Sequence, residues 1–137
     1  MTSTDLLVDA FERIRDAVQP AVNGLSPDEL SFRPDDESNS IAWLVWHLTR
    51  IQGDHVAGLA DGEQVWTAQG WAERFALPLD PSDTGYGRDP DMVAAVTADA
   101  SRCSATSRAS MARSWSSCAP RGNRTSHVWW TEAGTHP

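Results

Sequence analysis

Residues 40–55, with the sequence SIAWLVWHLTRIQGDH, decide the fold of this chain. Five of its residues recur at spacings of three and four and therefore lie along one side, which predicts a helix with one mainly apolar face. The positions on that face are Ile41, Leu44, Leu48, Ile51 and His55. His47 and Asp54 lie seven residues apart and share the flank of this face. A metal site inside a helical bundle needs a histidine in the position of His47.

The length and composition of the chain predict one soluble domain. It has 137 residues, of which 40% are hydrophobic, and this is typical of a single-core protein. Its longest apolar run, residues 41–46, is far shorter than the roughly 20 residues that a membrane helix needs. No basic segment leads into an apolar one at the N-terminus, so we expect no signal peptide, no membrane partner and a cytoplasmic location.

Charge is distributed unevenly along the chain. The net charge of -8 argues against a nucleic-acid partner, because phosphate binding needs a basic face. Residues 1–100 carry 18 acidic residues and 6 arginines, whereas residues 101–137 carry one acidic residue and 5 arginines. All basic residues are arginine, which is typical of a GC-rich gene because the lysine codons are AAA and AAG. The chain therefore has two unlike parts.

The first part shows further helical signals. An apolar repeat predicts a first helix from about Asp5 that weakens near Pro20 and stops at Asn23-Gly24. The repeat consists of Leu7, Phe11, Ile14 and Val18. Ser26-Pro27 predicts a capped short helical turn, and Asn39 or Ser40 can cap the helix described above, which should run to about Leu59.

Residues 63–87 combine scattered aromatic residues with glycine and proline. We predict a long crossover connection here, with a short helix at Trp71–Phe75. Asp89-Pro90 resembles a helix cap and first helical residue, so a third helix should start there and contain Val93, Val96 and Ala100.

Residues 101–137 lack the apolar residues that a core requires. They hold eight serines, five arginines and four threonines, and no Leu, Ile, Phe or Tyr. We therefore divide the chain into a helical bundle over residues 1–100 and a Ser/Arg-rich tail over residues 101–137, which we expect to be disordered or poorly packed.

Several ordered segments of the first part resemble the DinB-like superfamily, and in particular an actinobacterial group. They are SIAWLVWHL at 40–48, Asp54-His55, EQVW at 63–66, GWAERF at 70–75 and DTGYG at 83–87. The resemblance covers roughly residues 3–100. It implies an all-α fold, a four-helix bundle with a long connection between its second and third helices, which agrees with the predicted crossover. Because the tail follows, we expect the bundle to be incomplete.

The resemblance also implies a metal site. Family members commonly bind zinc or nickel through three ligands, one from the second helix and the others, mostly histidines, from the last helix. His47 matches the first ligand. Relatives include mycothiol-dependent maleylpyruvate isomerase and thiol S-transferases, in which the metal would hold a low-molecular-weight thiol such as mycothiol as its thiolate.

The ligands of the last helix have no counterpart in this sequence. His127 and His136 are nine residues apart, whereas two ligands on one helical face should be three or four apart. We therefore expect a divalent-metal protein of the thiol-dependent transferase or isomerase type that is inactive because its site is incomplete. No catalytic residue is assigned. The alternative is a non-catalytic helical bundle that binds a small apolar ligand or pairs with itself as a homodimer.

The tail can be interpreted as the product of a shifted reading frame. Tryptophan has the single codon TGG, so Trp129-Trp130 must be encoded by TGGTGG. In the neighbouring frame, Val128–Thr131 then reads as Leu, Met or Val, followed by Val and Asp. Trp115–Cys118 permits a run of Leu or Val, Glu, Phe or Leu, and Leu, which favours a helix over a serine tract. We favour a frameshifted or truncated chain over a genuine Ser/Arg tail.

Three weaker candidates have ordinary structural alternatives. For His55 we favour packing with one hydrogen bond over metal ligation. Asp54 could orient His47 or accept a hydrogen bond near the site, but a solvent-facing carboxylate or a partner of Arg50 is favoured. Cys103 and Cys118 are fifteen residues apart without a nearby second pair, so neither zinc binding nor a disulfide is expected.

Overall fold

A computed structural model describes residues 1–118, except for the side chains of Trp115 and Cys118. This part of the chain is all-helical, as predicted, with seven helices and no strand. In chain order they are α1 (Ser3–Val22), α2 (Pro27–Ser31), α3 (Ile41–Ala60), α4 (Val65–Ala68), α5 (Trp71–Phe75), α6 (Pro90–Ala94) and α7 (Ala100–Cys118). No helix within this range is long and apolar enough to cross a membrane.

Side-chain caps explain where the first helices begin. Thr2 and Asp5 form a capping box at α1, and Ser26 and Glu29 form another at α2. Ser40, one of the two predicted caps, starts α3 because its hydroxyl accepts a hydrogen bond of 3.1 Å from the amide of Trp43. Each cap satisfies an amide that has no partner inside the helix.

The predicted end of the first helix is confirmed, whereas the third predicted helix differs from the structure. Helix α1 runs through Pro20 to Val22 and has Asn23 as its C-cap; Val18 and Val22 are buried in the core and hold the last turn in place. The third predicted helix is divided into α6 and α7. The second of these pieces begins after Asp99, whose carboxylate accepts a hydrogen bond of 2.8 Å from the amide of Arg102. Helix α5 lies at the predicted residues.

Aromatic rings from α3 and the crossover form the centre of the core. Trp46 meets Trp66 edge-on with a ring-centroid distance of 6.5 Å, and Trp66 lies 5.0 Å from Phe75. Because large aromatic side chains bury much surface and dominate the energetics of a core, these contacts hold α4 and α5 against α3. The long crossover is thereby fixed above one face of α3.

Helix α7 corrects the prediction of disorder for residues 101–118. It packs against both α1 and α3 and buries one side with a helical spacing, made of Cys103, Thr106, Ser107, Ser110, Met111 and Ser114. Small side chains let α7 approach closely, so the helix forms without large apolar residues. Residues 119–137 of the predicted tail lie outside the described residues, and the reading-frame interpretation stays a prediction.

The buried face of α7 and the part of α3 that contacts it carry many polar side chains. Gln52 donates a hydrogen bond of 2.7 Å to the hydroxyl of Ser114, which in turn donates to the carbonyl of Ser110. The buried hydroxyls of Thr49, Thr106 and Ser107 have no hydrogen-bond partner within residues 1–118. We call these six residues the polar seam. Since unpaired buried hydroxyls oppose folding, α7 is held less firmly than an apolar helix would be.

Candidate functional site

His47 is half-buried on α3 between an indole and a tyrosine ring. Its imidazole stacks on Trp43, with ring centroids 4.5 Å apart and an angle of 23° between the planes. Tyr86, from the crossover, meets the same imidazole edge-on at 5.8 Å. The aromatic neighbours limit the orientations that the His47 ring can adopt.

A backbone carbonyl fixes the protonation pattern of His47. The Nδ1 atom of His47 lies 2.5 Å from the carbonyl oxygen of Thr84. Because a carbonyl oxygen only accepts hydrogen bonds, Nδ1 must carry the proton. In the neutral ring the lone pair is then on Nε2, the atom that can bind a metal ion or accept a proton.

Gly85 allows the crossover to approach His47 this closely. Its φ of +93° lies in the region that favours glycine. A Cβ atom at this position would lie 2.7 Å from Nδ1 of His47 and 2.9 Å from Cζ3 of Trp46. The amide of Gly85 donates a hydrogen bond of 2.8 Å to the buried carboxylate of Asp83, which also forms an ion pair with Arg88. This turn therefore depends on both its glycine and its aspartate.

Arg50 is completely buried and joins α3 to the crossover. Its Nε donates to the carbonyl of Asp83 at 2.9 Å, and its two terminal nitrogens donate to Gln64 Oε1 at 2.6 Å and to the carbonyl of Pro81 at 3.1 Å. The guanidinium also lies 5.1 Å from the ring centre of Trp66. Burial lowers the pKa of Arg50 to about 10, although the charge of Asp54 opposes this shift. Arg50 is therefore still charged at neutral pH.

Asp54 contributes to this network and forms no hydrogen bond with His47. Its carboxylate accepts a hydrogen bond of 2.8 Å from Nε2 of Gln64, whose amide oxygen binds Arg50. Asp54 is thus linked to Arg50 through Gln64, whereas the sequence favoured either a solvent-facing carboxylate or a direct partner of Arg50. The carbonyl of Thr84, rather than Asp54, orients His47.

His47 and His55 both line a groove between α1 and α3. The groove has a volume of about 380 Å³, and its other lining residues are Leu7, Phe11, Ile14, Leu48, Ile51, Gln52, Val56 and Leu59. His55 is exposed and forms no hydrogen bond with another described residue. The prediction that His55 packs in the core with one hydrogen bond is therefore wrong, because the residue is exposed at the open groove. Eight residues separate the two histidines, which places them about 12 Å apart along the helix axis.

The other potential ligands do not gather around His47. Within residues 1–118, no group of three or more His, Cys, Asp or Glu side chains could hold a metal ion. Cys103 is buried, and burial together with the charge of Asp99 raises the pKa of its thiol to about 11, so it is a protonated thiol at neutral pH. His127, His136 and the side chain of Cys118 lie outside the described residues.

Sequence reasoning found His47 but missed the residues that position it. Thr84 and Gly85 follow His47 by 37 and 38 positions in the sequence. No local pattern predicts a contact between residues so far apart. The DTGYG segment was a visible signal, because two glycines around an aromatic residue suggest a turn of special conformation. The sequence did not show that this turn touches α3.

The fold and these residues define the class of protein. The chain matches the DinB superfamily over residues 10–125 and belongs to it, as the resemblance implied. A solved structure similar to it is that of a conserved protein from Enterococcus faecalis, with 25% identity and a TM-score of 0.78. This similarity covers 86% of the present chain and 70% of the other. No curated protein matches the chain.

Proposed function

We propose that this DinB-superfamily chain contributes His47 as one ligand to a divalent metal ion, zinc or nickel. The observation that supports the proposal is the contact between Nδ1 of His47 and the carbonyl of Thr84, because it leaves the lone pair on Nε2. Metal-binding histidines are commonly held by such a contact at their second nitrogen. The half-buried aromatic surroundings further restrict the ring.

The described residues do not supply a complete metal site. Protein zinc sites use three or four ligands, whereas no group of three or more His, Cys, Asp or Glu side chains within residues 1–118 could hold a metal ion. We therefore propose a relationship to thiol-dependent transferases and isomerases without a complete reaction centre. In such enzymes the metal holds a thiol, for example mycothiol, as its thiolate, and we expect the isolated chain to lack this activity.

Metal titration of the purified chain tests this proposal. We expect weak binding of zinc or nickel, with a dissociation constant above about 100 µM, because a single imidazole supplies only about 5 kcal/mol. Calorimetry should show the weak binding disappear in His47→Ala and persist in His55→Ala. Tight stoichiometric binding that His47→Ala abolishes would contradict the incomplete site. Binding that His47→Ala leaves unchanged would contradict the role of His47.

A second candidate function is non-catalytic and rests on the groove. Its walls are mainly apolar and open to solvent, and Leu59 at its edge is 90% exposed. Proteins rarely leave a contiguous apolar surface uncovered unless it binds something. We propose that the groove takes a small apolar ligand or pairs with a second copy of the chain.

Oligomeric state distinguishes self-association from ligand binding. If the groove pairs with a second copy, light scattering after size exclusion should show a dimer that Leu59→Glu converts to a monomer. Phe32→Glu is the matched control, since Phe32 is also an exposed apolar residue but does not line the groove. A wild-type chain that stays monomeric at high concentration would contradict self-association.

A further inference from the structure

We infer that Arg50 is a positioning residue that sets the tautomer of His47 through the crossover turn. Arg50 and His47 are three positions apart on α3, so their side chains lie on neighbouring parts of the helix surface. Both reach the same stretch of crossover, Arg50 at Pro81 and Asp83 and His47 at Thr84. The inference rests on the proposed metal site for its functional meaning, but the tautomer can be measured without metal.

The first step is the attachment of the turn to α3. Arg50 holds the carbonyls of Pro81 and Asp83 at 3.1 and 2.9 Å. Asp83 directly precedes Thr84 and Pro81 lies three positions before it, and the carboxylate of Asp83 holds the amide of Gly85 on the other side. The peptide of Thr84 is thus fixed from both ends, which directs its carbonyl to Nδ1 of His47.

The second step concerns the shape of the guanidinium. Arginine presents its N–H groups in a rigid planar fork, whereas lysine has one nitrogen on a flexible chain. Gln64 accepts a hydrogen bond from a third nitrogen of the guanidinium and is itself held by Asp54. A lysine at position 50 would keep the charge but could not bind Pro81, Asp83 and Gln64 with this geometry.

The consequence for His47 follows from the length of its hydrogen bond. A movement of the turn by about 1 Å would lengthen the 2.5 Å contact between Nδ1 and Thr84 beyond ordinary hydrogen-bond distance. Nδ1 would then lose its acceptor, and the proton would move to Nε2, which free histidine prefers. The lone pair would then be on Nδ1, which faces the turn, and the protonated Nε2 could not bind a metal ion.

Long-range proton–nitrogen NMR of protein labelled with ¹⁵N-histidine tests the inference at pH 8 without metal. The His47 signal is assigned by its absence in His47→Gln. Wild-type His47 should be in the Nδ1–H form, and Arg50→Lys should lower the ratio of Nδ1–H to Nε2–H about tenfold. Arg74→Lys is the matched control, because Arg74 lies over Trp71 on α5, and it should leave the ratio unchanged.

Gln64→Ala provides a milder variant in case Arg50→Lys does not fold. It removes one support of the guanidinium while both carbonyl contacts remain, so the tautomer ratio should fall about threefold. The inference is overturned if wild-type His47 is in the Nε2–H form, or if a folded Arg50→Lys, or failing that a folded Gln64→Ala, keeps the wild-type ratio. A protein that shows these shifts but binds no metal would refute the proposed function and leave the positioning role of Arg50 intact.

Discussion

Replacing Gly85 with alanine is expected to lower the free energy of unfolding by about 3 kcal/mol. Part of the loss comes from the backbone, since φ is +93° at this residue. The larger part comes from the new methyl group, which would meet Nδ1 of His47 at 2.7 Å and Trp46 at 2.9 Å. Neither neighbour can retreat easily, because both rings are packed against Trp43. Urea denaturation of the wild type and the variant measures the loss.

Gly87→Ala separates the two contributions within the same turn. Gly87 also has a positive φ, of +65°, but a Cβ atom there would have no neighbour within 4 Å. Its substitution should therefore cost only about 1 kcal/mol, from backbone strain alone. Equal losses in the two variants would show that the turn does not approach His47 as closely as the structure places it.

Local signals were sufficient to predict much of the fold. The apolar repeats of α1 and α3, the caps at Ser26 and Ser40, and the short helix at Trp71–Phe75 all depend on residues within a few positions of each other. Such patterns are readable because a helix satisfies its backbone hydrogen bonds locally and places every third or fourth side chain on one face. They agree with the all-α fold that the family resemblance implied.

Helix α7 was missed because its buried face is made of small and polar residues. Its spacing is helical, but a search for hydrophobic periodicity does not register serine and threonine. The helix forms because α1 and α3 both offer it a surface to pack against. Tertiary packing of this kind routinely overrides a weak local preference.

The candidate site likewise combines a residue that a local pattern predicts with residues that only folding brings next to it. His47 could be proposed from its place on α3, whereas its partners Thr84 and Gly85 come from the crossover. The sequence analysis named Arg50 only as a partner of Asp54, and only the folded crossover shows that Arg50 is buried and donates to three acceptors. That partnership was one of two alternatives for Asp54, and the structure links the two residues through Gln64.

For the polar seam we predict a stabilising change: removing polar groups there should raise the free energy of unfolding, whereas Gly85→Ala lowers it. Thr106→Val and Ser107→Ala together should raise the free energy of unfolding by about 2 kcal/mol. Both hydroxyls are buried without a partner among the described residues, so the variant removes two desolvated groups and breaks no side-chain hydrogen bond within residues 1–118. The similar size of valine and threonine avoids a new cavity or clash. Urea denaturation followed by helical circular dichroism measures the change.

Thr67→Val is the control for this double variant, because Thr67 is exposed and its hydroxyl donates to the carbonyl of Gln64. Its effect should stay within about 0.5 kcal/mol, as for most surface substitutions. If the double variant is instead less stable than the wild type, the two hydroxyls must have partners in the folded protein. That result would mean that the polar seam contributes to the attachment of α7 rather than weakening it, and the stability of this helix would then come from buried hydrogen bonds.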